Sequence, residues 1–115
     1  MKELTITGGA RIGQINTTLP LATLHVTKSQ LSLNSSIDGD LIFKAEDIIS
    51  IEPFFAIPKL IHGIKINHCL SEYNNDIIFY TFKNPNELIK KIIKIGFWDK
   101  NDLNYREERL LEKSH

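Results

Sequence analysis

Three residues near the middle of the chain, His62, His68 and Cys69, carry side chains that bind transition metals. Residues 63–69 alternate between apolar and polar side chains, which predicts a β-strand that rises about 3.3 Å per residue. The two histidines would then lie about 20 Å apart, and Cys69 would face away from His68. One ion cannot be shared over that distance. We therefore expect ordinary strand histidines, with no metal and no cofactor.

Motifs for catalysis are equally weak. Asp38-Gly39-Asp40 lacks the later ligands of a calcium loop, and Asp-Gly is a common hairpin-turn dipeptide. The sequence has no Gly-x-Ser-x-Gly elbow, no phosphate-binding glycine loop and no metalloprotease helix motif. A single cysteine at a strand end is more often a small buried side chain than a reactive thiol. An acid and base pair assembled from distant positions stays open, but we expect a protein without enzymatic activity.

Two groups of residues are candidates for binding instead. The first group is three lysines on the polar side of a predicted amphipathic helix: Lys90, Lys91 and Lys94. A cationic helix face of this kind can contact an anionic membrane, although any solvated helix face has similar residues. The second lies in the proline-bounded segment 53–60, which either forms an exposed partner contact or folds over a sheet edge as core: Phe54, Phe55, Ile57 and Leu60.

The overall composition narrows the possible partners. The chain has 115 residues, one domain's length, and its 14 Lys and Arg balance 14 Asp and Glu. Without a net positive field we expect no nucleic-acid binding. One cysteine, no apolar run of about 18 residues and no signal-peptide pattern predict a cytoplasmic protein.

The element with the clearest local signals is a helix over residues 85–96. Asn84 is a suitable N-cap, Pro85 fits the first helical position, and Gly96 can end the last turn. Its apolar side chains fall on one face, which must pack on something: Leu88, Ile89, Ile92, Ile93 and Ile95.

Seven strands precede that helix, with a break at Gly8-Gly9 and loops at 17–20 and 53–60. The strands are expected near residues 10–16, 21–27, 30–34, 40–44, 48–52, 63–69 and 77–82. In the fifth, Ile49 and Ile51 should share a face. A tight turn at Asp38-Gly39 would place the apolar residues of the strand at 40–44 on the opposite face of the sheet from those of the strand at 30–34. We therefore favour a bulge or a longer loop.

Seven strands followed by one amphipathic helix resemble the pleckstrin-homology-like superfamily, with its GRAM domains and bacterial relatives. The similar stretches are 24–33, 46–51, 63–68 and 78–80, the last just before the helix. The resemblance implies a partly open barrel of two orthogonal antiparallel sheets, capped at one end by the helix. It spans about residues 10–97. We expect a domain over 1–98 and a charged tail over 99–115, which is either a short helix or unfolded.

The resemblance also implies a function. Phosphoinositide-binding members carry basic residues around the first inter-strand loop, whereas residues 17–20 here are Thr-Thr-Leu-Pro, so phosphoinositide binding is not expected. We expect a non-catalytic binding or adaptor module that contacts a protein or peptide, or another copy of itself, through residues 53–60 and the tail. The alternative is peripheral membrane or lipid binding of the GRAM type.

Overall fold

The computed structural model of the protein describes residues 2–36, 39–55 and 62–99. These residues form mainly β structure with one helix, as expected. Their elements are β1 (Glu3–Ile12), β2 (Ile15–Thr27), β3 (Leu31–Ser35), β4 (Gly39–Phe43), β5 (Ile48–Phe55), β6 (His62–His68), β7 (Ile77–Thr81) and α1 (Pro85–Ile95), with a short 3-10 turn (Ala45–Asp47) between β4 and β5.

The strands make one antiparallel sheet that curls into a half-barrel around a single apolar core. Its strand order is β4-β3-β2-β1-β7-β6-β5, so β4 and β5 are the two edge strands. Side chains that alternate along each strand fill the concave side, which is the arrangement that a period of two dictates. Fully buried members of this core include Leu24, Leu33, Ile64, Ile66 and Phe79.

The first hairpin turns at Gly13 and Gln14, so the expected loop at 17–20 is wrong. Gly13 has a φ of 62°, the positive value that two-residue hairpin turns require at their first central position. Residues 17–20 lie inside β2, and the expected break at Gly8-Gly9 lies inside β1.

The ladder between β1 and β2 is irregular near Pro20. Gly8 pairs with Ala22 and Ala10 pairs with Thr17, so one residue of β1 faces four of β2. Proline has no N–H to donate to a ladder, so within a strand it occurs at interruptions of this kind. The second half of β1 pairs with β7 on its other side.

Two glycines allow β7 to approach both of its neighbours closely. A Cβ on Gly8 of β1 would meet the carbonyl oxygen of Tyr80, and a Cβ on Gly63 of β6 would meet that of Phe79. Neither backbone oxygen can move aside without shifting the ladder. The tight approach of three strands therefore depends on the absence of two side chains.

The register of β3 and β4 confirms the longer loop that we favour at Asp38-Gly39. Leu31 pairs with Phe43 and Leu33 pairs with Leu41, and all four side chains are buried. Three residues separate the last pair, Ser35 and Gly39. The apolar side chains of both strands thus share the concave face.

β5 differs from expectation in two ways. A bulge between Ile48 and Ser50 shifts the register, so Ile48 rather than Ile49 is buried together with Ile51. In addition, the strand continues to Phe55, through residues that proline content assigns to a loop. Proline is compatible with this strand because β5 is an edge, where one side of the backbone has no ladder partner.

Helix α1 has the predicted ends. The Asn84 side chain accepts hydrogen bonds from the amides of Asn86 and Glu87, and Gly96 adopts a φ of 94°. The buried face packs on the core and contacts β5, β6, β1 and β2. Its buried side chains are Pro85, Leu88, Ile89, Ile92 and Ile95, with Ile93 partly buried beside them.

Candidate functional site

Aromatic side chains gather where β5 ends and β6 begins. Phe55 pairs with His62, and Phe54 pairs with Gly63, which in turn pairs with Tyr80. The ring centroids of Phe55 and His62 lie 6.3 Å apart. Those of Phe54 and Tyr80 lie 6.1 Å apart, on either side of Gly63. We call Phe54, Phe55, His62 and Tyr80 the aromatic end of the sheet.

Phe55 is the exposed member of the aromatic end, at 61% of its surface, while the other three are half-buried. Phe82, at 76% exposed, follows β7, whose last residue pairs with His62. Phe55 and Phe82 are the two most exposed large apolar side chains of the described residues, and both lie at this end of the sheet. Ile57 and Leu60, the other two candidates from this segment, lie outside the described residues.

The backbone at the aromatic end belongs to an edge strand. In the described sheet β5 has a strand neighbour on one side only, β6. Within a sheet, proline occurs where its nitrogen points away from the ladder, which places the nitrogen of Pro53 on the free side. The free side of β5 therefore presents backbone carbonyl groups as acceptors, and at Pro53 the amide donor is missing.

The opposite edge, β4, is covered by side chains from elsewhere in the chain. The Ile42 amide donates to the phenol oxygen of Tyr73 at 3.2 Å. Directly after the strand, the Lys44 amide donates to Oδ2 of Asp47 at 2.8 Å. Amides that point away from β3 are those that an added strand would use. β4 is thus closed by its own chain.

His68 is buried behind the closed edge, with 2% of its surface exposed. Its Nδ1 lies 3.0 Å from the Leu70 amide nitrogen. Because an amide can only donate, Nδ1 has no proton, and the proton resides on Nε2. Nε2 then donates to the Asn74 carbonyl oxygen at 2.7 Å. The two bonds select one neutral tautomer of the ring.

The loop bound by His68 also reaches two other elements. Its Tyr73 closes β4 and packs its ring edge-to-face against that of Phe43, with 5.3 Å between the centroids. Further along, Oδ1 of Asn74 accepts from the Asp76 amide at 2.8 Å, and the Asp76 carbonyl accepts from the Gly13 amide at 2.8 Å. Residues 68–76 therefore fasten the β4 edge and the first hairpin turn to β6. We call them the clasp.

The metal candidates do not come together. His62 and His68 occupy the two ends of β6, as their spacing predicts, and the Cys69 sulfur lies 3.9 Å from the Glu46 carbonyl oxygen. Over the ranges that the structure describes, no three potential ligands among His, Cys, Asp and Glu form a cluster.

A hydroxyl, imidazole and carboxylate do meet on the convex face of the sheet. Oγ1 of Thr5 lies 2.7 Å from Nδ1 of His25, and Oε2 of Glu3 lies 3.9 Å from Nε2. The side chains of His25 and Glu3 are 35% and 67% exposed. A nucleophile on an open strand face lacks both the enclosure and the aligned oxyanion donors that acyl transfer requires. We interpret these contacts as cross-strand pairs of a solvated sheet face.

The three candidate lysines lie on α1 away from its buried face. Lys90 and Lys94 are exposed and Lys91 is half-buried. The ammonium of Lys90 lies 3.4 Å from a carboxylate oxygen of Glu87, which offsets part of its charge. No helix in the described part of the chain is long and apolar enough to cross a bilayer.

No protein-family model matches the chain, and no curated protein sequence matches it.

Proposed function

We propose that the chain is a non-catalytic, pleckstrin-homology-like binding module whose partner is a protein or peptide. In this proposal the strands form two orthogonal sheets that share β1, and α1 caps one end of the roll. Three features support it: the strand order, the change of neighbours along β1, and the burial of one helix face against strands from both halves of the order. The pleckstrin-homology-like family remains a resemblance.

The aromatic end is the proposed contact, and the exposed ring of Phe55 is the observation that carries the proposal. Binding hot spots combine an aromatic side chain that is exposed before binding with neighbours that are already packed. For Phe55 that neighbour is His62, whose ring centroid lies 6.3 Å away, while Phe54 and Tyr80 pack against each other on the opposite face of the sheet. An aromatic ring anchored in this way loses little conformational freedom when a partner covers it.

The nature of the partner follows from the surroundings of Phe55. The chain carries no net charge, so its total charge would not attract a nucleic acid. An edge backbone beside apolar rings matches a polypeptide, which can contribute both backbone groups and side chains. Self-association through the same surface is the second form of this proposal.

Peptide selection against the immobilised protein tests the first form. Peptides selected by the wild type are expected to bind Phe55→Ser at least about tenfold more weakly, because loss of a hot-spot residue costs more than about 1.4 kcal/mol. Leu21→Ser is the matched control, because Leu21 of β2 is 54% exposed outside the aromatic end. Equal affinities for wild type and Phe55→Ser would refute this contact surface.

Sedimentation velocity over a range of concentrations tests the second form. If the aromatic end mediates self-association, the wild type and Leu21→Ser show the same concentration-dependent species and Phe55→Ser remains monomeric. A wild type that stays monomeric at all concentrations rules out this form, and the peptide experiment then decides alone.

Peripheral membrane binding is the alternative function, and the exposure of Lys90 and Lys94 on the helix back favours it. Such a patch contributes about 1 kcal/mol per charge at an anionic surface. Cosedimentation with phosphatidylserine vesicles at low salt tests it. Binding that disappears in Lys90→Ser/Lys94→Ser supports this function, and no binding by the wild type excludes it.

A further inference from the structure

We propose that the partner segment of the aromatic end is an amphipathic α-helix that docks on the ring of Phe55, and that Pro53 excludes an extended strand from the same place. This inference rests on the proposed function and narrows it to one class of polypeptide. It is carried by the register of β5, by the position of its proline and by the charges on either side of Phe55.

The register determines which backbone groups of β5 point to its free side. Three alternate pairs of the ladder with β6 are Ile51 with Ile66, Pro53 with Ile64, and Phe55 with His62. Hydrogen-bonded and non-hydrogen-bonded pairs alternate along an antiparallel ladder. Because proline cannot donate, its pair is of the non-hydrogen-bonded kind, and so are the pairs two residues away. Residues 51, 53 and 55 therefore turn their backbone groups away from β6.

An added strand would have to bond to this row of backbone groups. In the middle of the row, the nitrogen of Pro53 carries a ring carbon in place of a hydrogen. A strand laid along residues 51–55 would bring a backbone carbonyl oxygen against that carbon and would lose the hydrogen bond that the oxygen needs. Strand addition beside Phe55 is therefore unfavourable.

An α-helix does not have this requirement. Its backbone N–H and C=O groups bond to each other within the helix, so it can cover Phe55 without a hydrogen bond from the edge of the sheet. An extended segment that covered the ring without ladder bonds would leave its own backbone groups unsatisfied once water is excluded. Helices of this kind bind apolar surfaces through side chains at i, i+3, i+4 and i+7.

The side chains around Phe55 suit an amphipathic helix. The ring is 61% exposed and lies beside the half-buried imidazole of His62. Glu52 precedes Phe55 on β5, and Lys83 follows Thr81, the β7 residue that pairs with His62. Glu52 and Lys83 are both exposed and carry opposite charges. A helix with a cation towards Glu52 and an anion towards Lys83, on either side of its apolar stripe, is complementary to this surface.

Selection from two displayed peptide libraries of equal length tests the inference. The helical library has apolar residues at i, i+3, i+4 and i+7 in a host rich in alanine, glutamate and lysine. The strand library alternates apolar and polar residues and is rich in valine, isoleucine and threonine. We expect binders from the helical library that bind Phe55→Ser at least about tenfold more weakly than wild type. Leu21→Ser, the exposed control, should bind them as wild type does.

The two libraries distinguish failure of the inference from failure of the proposed function. Phe55-dependent binders from the strand library would overturn the exclusion of strands and leave the aromatic end as a peptide-binding surface. If neither library gives a Phe55-dependent binder, the peptide form of the proposed function fails together with the inference.

A substitution in the protein tests the part assigned to Pro53. Pro53→Val restores an N–H on the free side of an exposed edge position, so strand-library peptides should bind this variant and not the wild type. Peptides from the helical library should bind both proteins. A Pro53→Val protein that still rejects the strand library would show that the proline is not what excludes a strand.

The conformation of the bound peptide gives a direct reading. In a peptide selected from the helical library, proline at a central position should weaken binding by about a hundredfold, because proline disrupts a helix interior. An unchanged affinity would overturn the inference. The ¹³Cα shifts of the labelled peptide, measured in complex with the wild-type protein, should move in the helical direction from their random-coil values. Shifts in the opposite direction, which are those of a strand, would refute a helical partner.

Discussion

The two edge strands of the sheet, β4 and β5, are protected against the addition of another strand in different ways. At β4, the phenol of Tyr73 and the carboxylate of Asp47 bind the backbone amides of Ile42 and Lys44. At β5, Pro53 lies in the strand and the exposed ring of Phe55 stands at its end. Both devices limit uncontrolled strand addition, since side-chain cover and proline are established ways to protect an edge.

The difference lies in what each edge leaves available. Cover by side chains satisfies the amide of Ile42 in β4 and that of Lys44 directly after the strand. A proline removes one donor from β5 but leaves its carbonyl groups, and beside them lies an apolar ring with 61% exposure. The β4 edge is therefore arranged to stay closed, whereas the β5 edge combines protection with a surface that a partner can use. Four substitutions test this contrast.

The largest effect is expected for Gly63→Ala, because Gly63 supports the β5 edge from β6. Its new Cβ would meet the backbone oxygen of Phe79, and forcing the strands apart costs about 3 kcal/mol in unfolding free energy. Gly39→Ala is the control at the β4 edge, where a φ of 69° strains alanine but no atom lies within 4 Å. It should cost about 1 kcal/mol in urea unfolding. Equal losses would contradict the close-approach argument.

Next is Tyr73→Phe, which removes the acceptor for the Ile42 amide and keeps the ring. The expected loss is about 1 kcal/mol of unfolding free energy, the net value of one hydrogen bond. Exchange of the Ile42 amide should quicken while that of Leu33 does not. Tyr80→Phe removes a phenol from β7, an interior strand, and should leave Ile42 unchanged. Similar exchange in both variants would show that Tyr73 does not close β4.

A smaller effect is expected for Asp47→Ala, which removes the acceptor for the Lys44 amide. The bond lies at an exposed position, so its loss should cost about 0.5 kcal/mol. Asp47→Asn retains a side-chain oxygen and should recover most of that difference in the same urea titration. If both variants lose the same amount, charge rather than hydrogen bonding is responsible.

The smallest stability effect is expected for Phe55→Ser, within about 0.5 kcal/mol of wild type, because substitutions at exposed positions seldom cost more. Phe43, which is fully buried, provides the contrast, and Phe43→Ser should prevent stable folding. A large loss of stability in Phe55→Ser would mean that this ring is part of the core, and its proposed role in binding would then lack a basis.

Sequence patterns predicted those elements whose signals are local. The capped helix follows from Asn84, Pro85 and Gly96, each of which acts within a few residues of its own position. Strict alternation around Leu24 and Leu33 likewise located the second half of β2 and β3, with their buried faces. In such stretches the side-chain period alone determines which residues are covered.

Errors arose where two local signals compete. Pro20 suggested the first loop, although Gly13 followed by Gln14 between apolar residues is itself a hairpin signal. Proline did not end β2, because the irregular ladder left its nitrogen without a pairing requirement. The bulge after Ile48 is a tertiary adjustment that no period of two reveals, so the side that Ile49 faces was not predictable.

The candidate site was partly visible in the sequence. The sequence marks Phe54 and Phe55 as candidates because they are apolar residues in a proline-bounded segment. Whether Phe55 is buried or exposed, however, depends on where β5 ends relative to β6. The clasp was invisible, because Ile42 and Tyr73 are 31 positions apart and neither belongs to a motif. A hydrogen bond between a backbone amide and a distant phenol leaves no pattern in the residues around it.

The burial of Trp98 has a practical consequence. It is the sole tryptophan of the chain and 5% exposed, in the core cluster just beyond the helix-ending Gly96. Its fluorescence therefore arises from one position, at the junction of α1 with the strands. An indole in an apolar site emits at shorter wavelength than one in water, so the emission maximum follows the docking of the helix without any added label.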